Sequence, residues 1–132
     1  MSSLRRVRPL AALALAASAV GTLLVTAPTA SAGDYADACI RSVGARTSPN
    51  GAWTIPARNF RYGSSGVCVS EIQHDVASTI GIDPADWPGF IDGVWGPKTD
   101  RYVREFQRRS NLDPDGVVGP RTWEALISRT TD

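Results

Sequence analysis

The sequence predicts a mainly α protein, a three-helix bundle preceded by a small disulfide-tethered β-hairpin or irregular segment. Three observations predict it. An aliphatic stripe of helical period runs from Val69 to Ile80. An eight-residue motif occurs twice, each time ahead of an amphipathic run. The only two cysteines, Cys39 and Cys68, bracket a turn-rich stretch.

The first element is an export leader over residues 1–32. Arg5, Arg6 and Arg8 form a positive start, Leu10 to Val25 an apolar run, and Ala30-Ser31-Ala32 a small-x-small cleavage pattern. A retained anchor is the competing reading, since a spanning helix needs roughly 20 apolar residues. Arg5-Arg6 invites a twin-arginine route, which the flanking Leu4 and Val7 fit poorly. Asp37 in the stretch before Cys39 argues against lipidation. Of the 14 Lys and Arg, three lie in this leader, which leaves 11 against 13 acidic residues. That balance gives no support to nucleic-acid binding by counterion release.

Residues 33–66 read as an N-terminal extension with few helix signals. Ser48-Pro49-Asn50-Gly51 is a turn string, because Asn-Gly accepts the positive φ of tight turns. A hairpin is expected to flank it, with strands near Ala38 to Val43 and Trp53 to Pro56. Ala57 to Tyr62 reads as an irregular connection carrying solvated Arg58 and Arg61. In an oxidising compartment an even cysteine pair reads as a disulfide. Closing that loop is worth roughly 3–4 kcal/mol.

Residues 67–130 read as the helical domain. Val69, Ile72, Val76 and Ile80 share one helix face. Gly81 is the expected C-terminal cap, and Ile82 to Gly89 a Pro- and Asp-rich loop. Asp92 to Thr99 (DGVWGPKT) then recurs as Asp115 to Thr122 (DGVVGPRT). Asp-Gly makes a tight turn, one apolar residue points inward, Gly caps, and Pro opens a helix where its missing N–H costs nothing. The Thr is expected to bond back to the turn backbone. The second helix is expected to end near Ser110 with Asn111 closing it. The third carries Trp123, Leu126 and Ile127 on one face and fades at Arg129 to Asp132.

Ile72-Gln73, the first cassette, Val103, Phe106-Gln107, Leu112, the second cassette and Leu126 follow, in order and spacing, the peptidoglycan-binding-like domain family. This resemblance covers Val67 to Ser128. The whole resembles small actinobacterial secreted proteins carrying a single such domain. The resemblance implies a three-helix bundle that targets murein, in a family commonly appended to wall hydrolases.

Catalytic chemistry has little material here. A hydrolase needs a nucleophile, paired acids or a metal, and His74 is the only histidine. One histidine cannot build a multi-His zinc site. His74 is read as a surface residue, and Glu71 and Asp75 as a solvated side of the first bundle helix. No cofactor and no metal are expected.

The candidate ligand-binding residues are Gln73, Trp87, Trp95, Arg104, Gln107 and Arg108. Gln73 and Gln107 fit either stem-peptide amides or the loop backbone between helices. Trp95 and Trp123 fit the core, while Trp87 in the Pro-rich loop fits an exposed stacking platform. Arg101, Arg104 and Arg108 form a stripe suited to wall carboxylates or phosphates, or else a plain solvated face beside Asp100 and Glu105. The expectation is a secreted or wall-associated, non-catalytic monomer. Its partner is peptidoglycan, through glycan or stem peptide, and it has no nucleic-acid partner and no membrane after leader removal. The competing reading is an extracellular partner-binding or structural protein that modulates a wall hydrolase.

Overall fold

The computed structural model describes residues 32–130. The expected leader lies outside the described residues, save Ala32, which opens the first helix. In chain order the elements are α1 (Ala32–Val43), β1 (Ala45–Thr47), β2 (Thr54–Pro56), α2 (Val67–Ile80), a 3-10 turn (Pro84–Asp86), the short α3 (Trp87–Phe90), α4 (Pro97–Arg109) and α5 (Pro120–Thr130). The helices α2, α4 and α5 form the expected bundle. Among the described residues no helix is long and apolar enough to cross a membrane.

The extension differs from expectation at its start. The strand expected near Ala38 to Val43 is the second half of α1. The physical reason is the spacing of Ala36, Cys39, Ile40 and Val43, which puts four small or apolar side chains on one helix face. Cys39 is fully buried and Val43 packs on the core. Asp34 near the start and Arg41 near the end suit the helix dipole. Gly44, at φ 87°, then turns the chain, its N–H donating to the Ile40 carbonyl at 2.7 Å.

The hairpin forms just beyond. β1 and β2 are antiparallel, with Arg46 opposite Ile55. The expected turn string shapes its loop. Asn50 Oδ1 accepts from the Ser48 hydroxyl at 2.8 Å and the Ala52 N–H at 2.9 Å. Glu124 on α5 accepts from the Asn50 N–H at 2.7 Å, tying the loop to the bundle.

Cys39 and Cys68 form a disulfide that joins α1 to the first turn of α2. Their sulfurs sit in one core with Ile55, Phe60, Val69, Ile72, Val76, Trp95, Val103, Phe106, Val118, Trp123 and Leu126. The extension and the bundle therefore share a single hydrophobic cluster. Burial of the aromatic and aliphatic side chains contributes about 1.5–3 kcal/mol each, and the fully buried ones come from α2, α4 and α5 and from Ile55 on β2, Trp95 of the first cassette and Val118 of the second.

Gly81 ends α2 in the left-handed conformation, as its position predicts. The expected loop beyond it holds more order than its composition implies. Asp83 caps the 3-10 turn by accepting from the Ala85 N–H at 2.9 Å. Phe90 closes α3 and packs edge-on against Tyr102 of α4, 5.4 Å between centroids.

Candidate functional site

The two cassettes are built alike, and each is held by a glutamine from the preceding bundle helix. Gln73 Nε2 donates to Asp92 Oδ1 at 3.0 Å, to the Val94 carbonyl at 3.1 Å and to the Thr99 hydroxyl at 2.9 Å. Its Oε1 accepts from the Asp92 and Gly93 N–H groups at 3.1 and 2.9 Å. Gln107 repeats the pattern. Its Nε2 donates to Asp115, the Val117 carbonyl and Thr122 at 3.1, 3.0 and 3.2 Å, and its Oε1 accepts from the Gly116 N–H at 3.0 Å. The cassette threonines thus bond to glutamine instead of the turn backbone.

Each cassette aspartate closes its own turn. Asp92 accepts from the Val94 N–H and Asp115 from the Val117 N–H, both at 2.9 Å. The Val94 N–H and the Gln73 amide hold the Asp92 carboxyl below the usual carboxylate range. Gly93 and Gly116 sit at φ 76° and 74°, where a side chain is strained. The second apolar residue of each cassette, Trp95 and Val118, points into the core, while Val94 is 56% exposed. Residues 57–66 bridge both cassettes: Phe60 pairs with Val118 and Ser65 with Val94.

Two concavities follow from this duplication. The first cassette lines a small one of about 150 Å³, through Asp92, Val94, Gly96, Pro97, Lys98 and Thr99 together with Gly89 and Phe90. The second cassette lines a larger one of about 530 Å³ with the matching residues, Arg121 standing where Lys98 stands. Pro49 and Asn59 from the extension join Leu112 and Asp113 in widening its wall.

The residues singled out in the sequence fall in different places. Gln73, Gln107 and Trp95 are essentially buried, so of the two roles open to each, the internal one is realised. Trp123 is core as expected, its indole N–H donating to the Arg58 carbonyl at 2.9 Å. Trp87 is half-buried and not a free platform. Its Nε1 donates to the Ile82 carbonyl at 2.9 Å, and its ring packs edge-on against His74 at 5.1 Å. Arg104 and Arg108 keep side chains 41% and 55% exposed. Arg104 bonds Asp100 at 3.0 Å and the Pro114 carbonyl at 2.8 Å, lying against the second cassette turn. Arg108 approaches Glu105 at 3.8 Å.

Two expectations are corrected. His74 is not a surface residue: its side chain is 14% exposed and sits between Tyr35 and Trp87. Glu71 and Asp75 are not a solvated face but are 2% and 0% exposed. The reason is α1, which packs across this side of α2. Burial, reinforced by Asp75 and Asp37, pushes the Glu71 carboxyl up to about 9. Burial likewise raises Asp75 to about 6, opposed by His74 at 3.8 Å.

Asn59, Asp113 and Arg121 of the larger concavity were not singled out in the sequence. The Lys98-to-Arg121 match within the repeat was the available signal.

Residues 69–126 match the family described as "Putative peptidoglycan binding domain". An uncharacterized protein of Kitasatospora aureofaciens is 34% identical over 115 residues, covering 85% of this chain and 88% of that one. The chain belongs to the peptidoglycan-binding domain family.

Two wall enzymes also share sequence with this peptidoglycan-binding domain protein. The zinc D-Ala-D-Ala carboxypeptidase of Streptomyces albus G is 34% identical over 113 residues, covering 82% of this chain and 38% of the enzyme. A probable N-acetylmuramoyl-L-alanine amidase of Bacillus licheniformis is 31% identical over 80 residues, covering 58% of this chain and 23% of the enzyme. The chain thus spans well under half the length of either enzyme.

Proposed function

We propose that this is an exported, non-catalytic protein that retains peptidoglycan through the concavity of the second cassette. The observation that carries the reading is the larger concavity of about 530 Å³, built on a duplicated family motif and rimmed by Arg121, Asn59 and Asp113. A guanidinium can bond both oxygens of a stem-peptide carboxylate, and the neighbouring Asn and Asp offer donors and acceptors for stem amides. Arg104 and Arg108 extend the basic edge along α4. Affinity per site is weak in this reading, and a repeating polymer compensates by offering sites at high local density.

The residues also favour binding over cleavage. Glu71 and Asp75 lie beneath α1, where a scissile bond in the cassette concavity cannot reach them. The lone histidine is wedged between two aromatic rings. The disulfide and the leader pattern support export and action outside the cytoplasm.

Sedimentation with purified insoluble murein tests the reading. Wild-type protein is expected in the pellet at low salt. Arg121→Glu is expected to weaken retention by about tenfold, the loss of one charge-assisted contact. Protein that stays wholly in the supernatant would sink the proposal.

A further inference from the structure

A third cavity, of about 640 Å³, lies between α1, β2, α2 and α5. Ala36, Ile40 and Ile127 give it apolar walls, Thr54 and Thr130 add hydroxyl-bearing edges, and Asp37 adds a carboxylate. Glu71 also lines it, although only 2% exposed. The Glu71 Oε1 has no hydrogen-bond partner among the described residues. None of these residues lines either cassette concavity.

A buried carboxyl oxygen without a donor is costly, and native proteins rarely keep one without a use. The charged groups acting on Glu71 are Asp75 on its own helix and Asp37 on α1, both acidic. From β2 and α5 the lining receives only Thr54, Ile127 and Thr130. The cavity therefore offers carboxyl oxygens and an apolar wall, and among the described residues that line it there is no cationic donor. A hard divalent ion suits it poorly, because such ions take six to eight oxygens. Among the described residues no three acidic, Cys or His side chains converge as a metal site.

We propose that this cavity binds a primary ammonium carried on a short aliphatic arm, as in lysine or another diamino acid. Glu71 is the buried acceptor, Asp37 the second carboxylate, and Ala36, Ile40 and Ile127 hold the arm. The ammonium donates to Glu71 Oε1, and its positive charge favours the ionised form of a carboxyl that burial and the neighbouring Asp75 and Asp37 otherwise keep protonated. The arm replaces water against the aliphatic wall. The site is independent of murein retention at the second cassette.

The test uses the disulfide-intact protein and two probes, Nα-acetyl-lysine methylamide and Nα-acetyl-norleucine methylamide, which differ in the ammonium. Amide chemical shifts near Asp37, Glu71 and Ile127 are expected to saturate with the lysine compound. The norleucine compound, and the lysine compound on Glu71→Gln, are each expected to bind at least about tenfold more weakly. Murein sedimentation of Glu71→Gln is expected to match wild type, which separates this site from the wall-binding reading. Absence of saturable shifts, equal binding of both probes, or undiminished affinity in Glu71→Gln overturns the proposal. If Glu71→Gln fails to fold, Asp37→Asn at the exposed position serves instead. A loss of about threefold or more supports the two-carboxylate site, and unchanged affinity overturns it.

Discussion

Gln73 and Gln107 are counterparts, each projecting from a bundle helix to grip one cassette through its Asp, a main-chain carbonyl and its Thr. The spacing from glutamine to cassette differs, because Gln73 bonds Asp92 across 19 residues and Gln107 bonds Asp115 across 8. The additional residues hold the 3-10 turn and α3. The grip is thus conserved within the molecule while the connecting chain varies.

Removing that grip leaves several polar groups without partners at once. Gln107→Leu is expected to strand the Gly116 N–H and the Val117 carbonyl, at a cost of about 2–4 kcal/mol. Urea unfolding would read this as a lower midpoint with an unchanged slope. A loss below about 0.5 kcal/mol would mean that water replaces the amide.

The turn glycines are expected to resist even alanine. At Gly116 the backbone φ is 74°, and an added Cβ would fall 2.7 Å from Arg104 Nη2. Arg104 is long and can swing away, so the residual cost is the left-handed backbone, about 1–2 kcal/mol. Gly116→Ala should also free Arg104 from the Pro114 carbonyl. Pairing it with Arg104→Ala should recover only the steric part, which a double-mutant cycle measures.

Reduction of the Cys39–Cys68 bond is expected to cost roughly 3–4 kcal/mol. For a domain of this size the melting temperature should fall on the order of 10–20 °C. Calorimetry with and without reductant gives the comparison. An unchanged melting temperature would mean that core packing alone holds α1 in place.

Acid should stabilise this protein. Burial raises Glu71 and Asp75 to about 9 and about 6 from their ordinary values of 4.5 and 3.8. The folded state therefore holds these protons more tightly than the unfolded chain does, and stability falls as pH rises. For Asp75 the loss runs between about 4 and 6, and for Glu71 between about 4.5 and 9. Asp92 is lowered and acts oppositely, its contribution being lost as pH falls below its range. The expected optimum lies near pH 4, where both losses begin, with melting higher at pH 5 than at pH 8 by about 10 °C or more. Glu71→Gln should flatten this dependence. A melting temperature that rises from pH 5 to pH 8 would contradict the buried-acid account.

Much of the bundle was legible because local chemistry and global packing agree there. Val69, Ile72 and Val76 mark one helix face, Gly81 stops it, and Pro97 and Pro120 start the next two helices. The site was less legible. Gln73 and Gln107 are polar residues beside apolar neighbours, and a one-dimensional pattern gives them no destination. Their acceptors lie 19 and 8 residues away, beyond the range of helical periodicity. Glu71 and Asp75 misled for a related reason. They lie on a side of α2 that reads as solvated until α1 is laid across it.

From the amino-acid string alone came the helical class, the bundle, the two matched turns, the cysteine pair and the family likeness. Each depends on residues close in sequence, or on repetition that needs no coordinates. Tertiary structure decided which faces meet water. It buried Trp95 and both glutamines, wedged His74 between aromatic rings, widened the second concavity with Pro49 and Asn59, and closed α1 over two acids. Burial is a property of what packs from elsewhere in the chain, and so it emerges only once distant segments have come together.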